Sequence, residues 1–327
     1  MSTDLTFEVP PGGSFAWSLE KPQEPKASFN NFAFVMNVSS LVGVDKFILQ
    51  PGHELRRATH EEIAKIKELL GASDGGLLGL GFYPWEFQKQ EDGSWTPLPE
   101  HEWRYFVISF QGSNQIILDL EYALCLTKLE LQIAFAALGK GHMHHPGRLF
   151  QMLDKADLNS RFFDVTPTDA EEIAIVCDQL RTHDPATVDM IRVAAQLLDF
   201  EALPSRPPSR FLAYFGILES LLTHSPQPKD PYDSITRQVK KKLALLDHRW
   251  NPSIDYGGFP GKTHDSVWGQ MYGYRSCLAH GGTPDFKREL SGLGDPGRAM
   301  DLLKWTVKAV CRQALIEPQL IADLKDC

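Results

Sequence analysis

The chain has 327 residues, 43% of them hydrophobic and 23% charged, with a formal net charge of −9. This is the balance of a folded globular protein rather than of a long disordered one. It holds no run of 18 uncharged apolar residues, which argues against a membrane span, and its five scattered cysteines include no CxxC pair, which suits free thiols rather than a disulfide framework. The opening residues MSTDLTFEVPPGG lack the basic and apolar regions of a secretory leader, so the expectation is a cytoplasmic protein. The acidic excess opposes nucleic-acid binding by the chain as a whole, but it is uneven. Residues 229–327 carry 15 basic and 12 acidic side chains, leaving room for a basic surface there.

Taken in chain order, the first half mixes strand and helix patterns. FAFVMNV (32–38), KFIL (46–49) and RYFVISF (104–110) predict strands. Thr59 and Glu62 have capping-box spacing, followed by Ile63, Ile66, Leu69 and Leu70 at helical period. Residues 73–81, SDGGLLGLG, predict a glycine-rich loop, and the apolar stretch 116–138 fits helix or strand equally. A boundary falls near Thr166-Pro167, dividing an α+β domain over 1–166 from an all-α bundle over 167–327. Beyond it, Thr168 and Glu171 again have capping-box spacing, and helices are predicted over 169–182, 186–201, 209–224, 232–247, 264–280 and 297–325. Ser209 is taken to cap the third, Asp295 to cap the last, and Pro318 to break it.

Several motifs invite a chemical reading. GGFPGKT (257–263) is similar to a phosphate-binding loop, but it has three residues instead of four before its Gly-Lys-Thr and no strand ahead of it; an ordinary turn is the better reading. His142, His144 and His145 could hold a metal, yet no cysteine or carboxylate stands near in sequence, and a histidine-rich surface loop explains them as well. Arg237, Lys240, Lys241 and Lys242 predict a basic patch on the helix opposite Ile235, Val239, Leu243 and Leu246; it is either a solvated face or a phosphate-contacting one. Glu219 lies on or beside the stripe of Phe215, Leu218 and Leu222, where a carboxylate needs a cationic partner from another helix.

The helix 264–280 ends in YRSCLAHGG (274–282). Val267, Met271, Tyr274 and Leu278 form a core stripe, and Gly269, Gly273 and Cys277 a second stripe of small side chains that predicts the close approach of another helix. Gly281 suits the left-handed stop, which puts His280 in the last turn. Five residues rotate an ideal helix by about 500°, so Arg275 and His280 stand about 140° apart and do not converge on one straight helix. A site using both needs a bent terminus or a second copy across a two-fold axis. A proton-exchanging imidazole and a permanent guanidinium suit phosphodiester cleavage, the first moving the proton of a ribose 2′-hydroxyl or a leaving oxygen, the second holding the phosphorane charge. A capping histidine and a surface arginine are the plain alternative.

The Arg275-Ser-Cys-Leu-Ala-His280 spacing at a helix end resembles the HEPN domain family. Together with Arg210-Phe211, Leu218-Glu219-Ser-Leu-Leu222, the His-Gly stop and the final long helix, it looks like the ApeA-type branch linked to phage defence. The resemblance covers about 205–327. It implies that the α+β N-terminal domain read above is followed by an all-α HEPN-like bundle, with a homodimer through that bundle and a metal-independent endoribonuclease acting in anti-phage defence or as a toxin, with no cofactor. Arg275 and His280 would be catalytic with Glu219 as a polar helper, and Ser276 stands where the family often has asparagine. RNA would be contacted by Arg237, Lys240, Lys241, Lys242, Ser276 and Tyr274, while residues 1–166 would sense a phage-derived or small-molecule trigger. Some members of the family are non-catalytic binding or scaffold modules for a protein or nucleotide, and that reading stays open.

Overall fold

The computed structural model of the chain describes residues 31–71, 83–111, 114–138, 141–144, 162–202, 207–226, 234–259 and 261–327. The glycine-rich stretch 73–81 and His145 lie outside them. In chain order come β1 (Asn31–Val35), β2 (Val38–Leu41), β3 (Lys46–Gln50), β4 (His53–Arg57), α1 (His60–Gly71), a 3₁₀ turn (Pro84–Glu86), β5 (Phe87–Lys89), β6 (Trp95–Pro97), a second 3₁₀ turn (Glu100–Glu102), β7 (Phe106–Phe110), α2 (Asn114–Leu126), β8 (Ile133–Leu138), β9 (Gly141–His144) and β10 (Phe163–Val165). Every longer element that follows is helical: α3 (Pro167–Thr182), α4 (Met190–Ala202), α5 (Pro207–Leu222), α6 (Ile235–Asp247), α7 (His264–Ala279), α8 (Pro296–Ile316) and α9 (Pro318–Asp326). A β-rich N-terminal region thus precedes a helical one. No helix among the described residues is long and apolar enough to cross a membrane.

Among the described residues six strands form one antiparallel sheet in the order β3-β4-β7-β1-β8-β9. Its central strands β1 and β7 are buried on both faces, which is why they read as unbroken apolar runs, while β3 at the edge alternates. One face, with Ala33, Val35, Leu55, Ile108 and Phe110, belongs to a core that continues through α2 and α3 into the helical region as far as Ile321. The other face, with Phe32, Phe34, Val107 and Phe135, packs on Trp85 and Ile66 of α1.

The expected strand 32–38 is two strands, because the chain turns at Met36-Asn37. The buried Asn37 amide donates to the Glu130 carbonyl (2.6 Å) and accepts from the Gln132 N–H (2.9 Å), and Trp85 Nε1 donates to the Met36 carbonyl (2.8 Å). The ambiguous stretch 116–138 resolves into α2 and then β8. Thr59 and Glu62 form the expected capping box on α1 (2.8 and 3.3 Å). On α3 the box is Thr166 with Asp169 rather than Thr168 with Glu171. Pro167 takes the first helical position, where its missing N–H is not needed, and this draws the cap two residues forward. Ser209 lies inside the first turn of α5, which starts at Pro207, and Asp295 caps α8 as expected.

In the helical region α5 is the central element. It packs on α4, α6, α7, α8 and α9 through Phe211, Phe215, Leu218 and Leu222. The seam between sheet and helices is charged. Glu130 pairs with Lys304 and with Lys308 (2.6 Å), Lys308 also donates to the Thr127 carbonyl (2.9 Å), and Arg312 joins the Leu126 carbonyl (3.2 Å) to Glu172 (3.1 Å).

Candidate functional site

The site is built on α7, whose two ends are fixed by different chemistry. At its start the Thr263 hydroxyl accepts from the Ser266 N–H (3.3 Å), so the threonine of the phosphate-loop-like stretch serves as a helix cap. His264 in the first turn bonds the Lys240 carbonyl of α6 through Nε2 (2.9 Å) and the Tyr256 hydroxyl through Nδ1 (2.6 Å). A carbonyl only accepts, so Nε2 carries the hydrogen and Nδ1 accepts from Tyr256, whose oxygen accepts in turn from Trp268 Nε1 (3.1 Å). Burial pushes the Tyr256 hydroxyl up to about 12. This chain of bonds ties Tyr256, between the two helices, to α6 and α7.

At the other end the Gly281 N–H donates to the Leu278 carbonyl (3.2 Å) and the Gly282 N–H to the Cys277 carbonyl (2.8 Å), the paired bonds of a Schellman motif. Gly281 has φ +72°, and a Cβ on Gly282 would sit 2.8 Å from Cys277 Sγ. The turn itself requires glycine at 281, while a side chain at 282 would crowd the Cys277 thiol and carbonyl. His280 is the capping residue, with φ −95° and ψ 9°, and its side chain is exposed.

One turn inward, Arg275 donates from Nη2 to Glu219 Oε2 of α5 (3.0 Å), with 29% and 16% of the two side chains exposed. This is the cationic partner that Glu219 required. Its other oxygen, Oε1, is buried and has no hydrogen-bond partner among the described residues. The Arg275 guanidinium lies 5.8 Å from the ring centre of Tyr272, which meets Phe215 edge-on (6.0 Å). Phe215 and Glu219 are one turn apart on α5, Tyr272 and Arg275 three residues apart on α7. The four form a compact cluster, with Phe215 buried and the other three partly exposed. Tyr272 escaped the sequence reading although its spacing from Arg275 places it on the same helix face.

Arg275 and His280 themselves do not meet: no bond or ion pair joins them within one chain among the described residues. This agrees with the angular argument for a straight helix. Among the described residues no helix lies against Gly269 or Gly273 of the small-residue stripe. A Cβ at Gly269 would meet nothing within 4 Å, and one at Gly273 would meet only Leu290 Cδ2 at 3.8 Å. The expected close approach of another helix is not found among the described residues.

The residues assigned to RNA contact separate into three groups. Arg237 and Lys241 are exposed, and Lys240 faces Asp265 (3.5 Å). Lys242 does not share their face: it is 5% exposed, with Nζ 3.5 Å from the Lys325 carbonyl of α9. Tyr274 is likewise withdrawn from any ligand. It is buried against Phe211 (4.4 Å) and Phe286 (5.0 Å), and that burial raises its hydroxyl pKa. Ser276 is half-buried, and its carbonyl accepts from the His280 N–H (3.1 Å). On β9, His142 and His144 pair in register with Ala137 and Phe135, and among the described residues no group of three His, Cys, Asp or Glu side chains could hold a metal ion.

Comparison with known proteins adds no relative: no family model, no curated protein and no solved structure matches the chain.

Proposed function

We propose that this protein is a metal-independent endoribonuclease of the HEPN type, with Arg275 and His280 as its catalytic residues and Glu219 as the group that orients Arg275. The observation that carries the reading is the partly exposed Arg275–Glu219 pair, its arginine five residues before an exposed histidine on a tightly capped helix end. Because the two side chains diverge on one helix, the working site takes Arg275 and His280 from two copies of the chain. The open Gly269–Gly273 stripe on the same helix supports such an approach. The chemistry is a transesterification. The ribose 2′-oxygen loses its proton to an imidazole and bonds to phosphorus, the bond to the 5′-oxygen breaks, and that oxygen takes a proton as it leaves. The guanidinium holds the negative charge on the phosphorane oxygens. Arg237 and Lys241 offer phosphate contacts, and the N-terminal region is where a phage-derived or small-molecule trigger would act.

A second reading has its own observation: Arg275 is already engaged by Glu219 and by the Tyr272 ring, as in a structural pair of a non-catalytic binding module. RNA cleavage in EDTA separates the two. The wild type is expected to cleave, His280→Ala and Arg275→Lys to lose at least about 100-fold in rate, and all three to keep the same melting temperature and oligomeric state. Cleavage that survives both substitutions sinks the ribonuclease reading.

A further inference from the structure

A second cluster lies in the N-terminal region and stands independently of the ribonuclease reading. Where β4 passes into α1, opposite the 3₁₀ turn Glu100–Glu102, there is a cleft of about 670 Å³, within the size range of small-molecule sites. Its floor is aromatic and apolar, with Trp103, Tyr105 and Ile63, and its rim carries Arg57, His60 and His101.

Trp103 is held rigidly. Its Nε1 donates to the Leu98 carbonyl (3.1 Å), and its ring meets Tyr105 edge-on (6.1 Å). The Lys67 ammonium lies 4.7 Å from the Trp103 ring centre, and also 5.3 Å from Tyr83 and 5.9 Å from Tyr105, while pairing with Glu86. The aromatic cage is thus filled by the chain's own cation, and its carboxylate is matched. A fixed ring loses little freedom when a planar ligand stacks on it.

Arg57 is fixed as well. It donates to the Trp103 carbonyl and lies 5.0 Å from the Phe106 ring centre, yet the residue is exposed. Its other N–H donors make no bond among the described residues. This holds a guanidinium at the Trp103 backbone carbonyl, in the lining of the same cleft as the Trp103 ring. The first turn of α1 does not supply the anion contact, because Thr59 and Glu62 occupy it as a capping box. Glu100 pairs with His60 at the rim (3.2 Å), where 60% of it is exposed and solvated.

We propose that this cleft binds a small planar anion of the nucleoside monophosphate class, the ring against Trp103 and Ile63 and the phosphate on Arg57, with His60 and His101 at the rim. A cationic ligand fits less well, since Arg57 and Lys67 both repel it and the nearby carboxylates Glu86 and Glu100 already have partners.

Calorimetric titration of the full chain with AMP, adenosine and inorganic phosphate tests this. AMP is expected to bind, with adenosine and phosphate each at least about tenfold weaker, since each keeps one of the two contacts. Arg57→Ala is expected to weaken AMP by about tenfold, and Glu100→Gln to tighten it about threefold by removing a like charge. Both positions are exposed, so unchanged melting temperatures would show that the fold is intact. No heat with millimolar AMP, or AMP binding indifferent to Arg57→Ala, overturns the proposal. So does binding of tetramethylammonium that weakens in Glu100→Gln, which would mark a cation site instead.

Discussion

Glu130, in the turn between α2 and β8, and Glu219, on α5, are both largely buried carboxylates facing cations from another helix, but the two regions satisfy them differently. At the seam between sheet and helices both Glu130 oxygens are engaged, by Lys308 (2.6 Å) and by Lys304, and Lys308 has the Thr127 carbonyl as well (2.9 Å). On the α5–α7 surface Glu219 uses one oxygen on Arg275 (3.0 Å), and its buried Oε1 has no hydrogen-bond partner among the described residues. A structural joint gains from saturation, because each unmatched buried polar atom costs about 1–3 kcal/mol. The seam is built as a joint. The α5–α7 pair keeps an acceptor in reserve, which suits a place where another group arrives.

The largest effect is expected at the seam. Glu130→Leu strands Lys308, only 4% exposed, and should lower stability by about 3–5 kcal/mol at neutral pH. Burial alone would raise the Glu130 carboxyl, but Lys308 and Lys304 outweigh it and hold it down at about 2, from an ordinary 4.5. The folded-state value is the depressed one, so this stabilisation is complete above pH 4.5 and fades as pH falls toward 2. Urea unfolding of wild type and Glu130→Gln across that window should show their difference shrinking with acid. A difference that stays constant would mean the seam does not depend on the Glu130 charge.

The intermediate effect compares the two pairs directly. Arg275→Ala leaves the largely buried Glu219 without its cation and should cost about 1–3 kcal/mol, while the double change Arg275→Met with Glu219→Leu should cost less than the two single changes together. The coupling read from that cycle is expected to be on the order of 1 kcal/mol and smaller than the Glu130–Lys308 coupling measured the same way. An equal or larger value would make the Arg275 pair a joint like the seam and would favour the binding-module reading.

What the sequence showed, and what it hid, follows the range of the interactions. Capping by Thr59 and Asp295, the helix stop at Gly281 and the core stripe of Val267, Met271 and Tyr274 are local matters of periodicity and backbone sterics, and they were legible. The need of Glu219 for a partner was legible too, because a carboxylate beside an apolar stripe demands one. That the partner is Arg275 was not, since 56 residues separate them and only the packing of α5 on α7 joins them. The seam was invisible for the same reason: Glu130 and Lys304 are 174 residues apart. The break of 32–38 at Asn37 depends on a buried amide bridging to Glu130 and Gln132, which no window around residue 37 contains.

Two neighbouring lysines carry the comparison down to its smallest scale. The sequence reading put Lys241 and Lys242 on one basic face of α6. On an ideal helix Lys242 is about 60° from Val239 and about 40° from Leu246, so it belongs with the buried stripe, while Lys241 turns a further 100° or so toward solvent. The structure agrees: Lys242 is 5% exposed beside the Lys325 carbonyl, which also meets His224 Nδ1 (3.0 Å), and Lys241 is exposed. Lys242→Ala should therefore loosen α9 and cost about 1–2 kcal/mol, whereas Lys241→Ala should stay within about 0.5 kcal/mol. RNA affinity measured against salt should show the reverse order. Lys241→Ala reduces the slope of log affinity on log salt by about 1 if its ammonium meets a phosphate, and Lys242→Ala leaves that slope alone. A slope that falls with Lys242 instead would mean that α9 lifts away when RNA binds, exposing the ammonium it now covers.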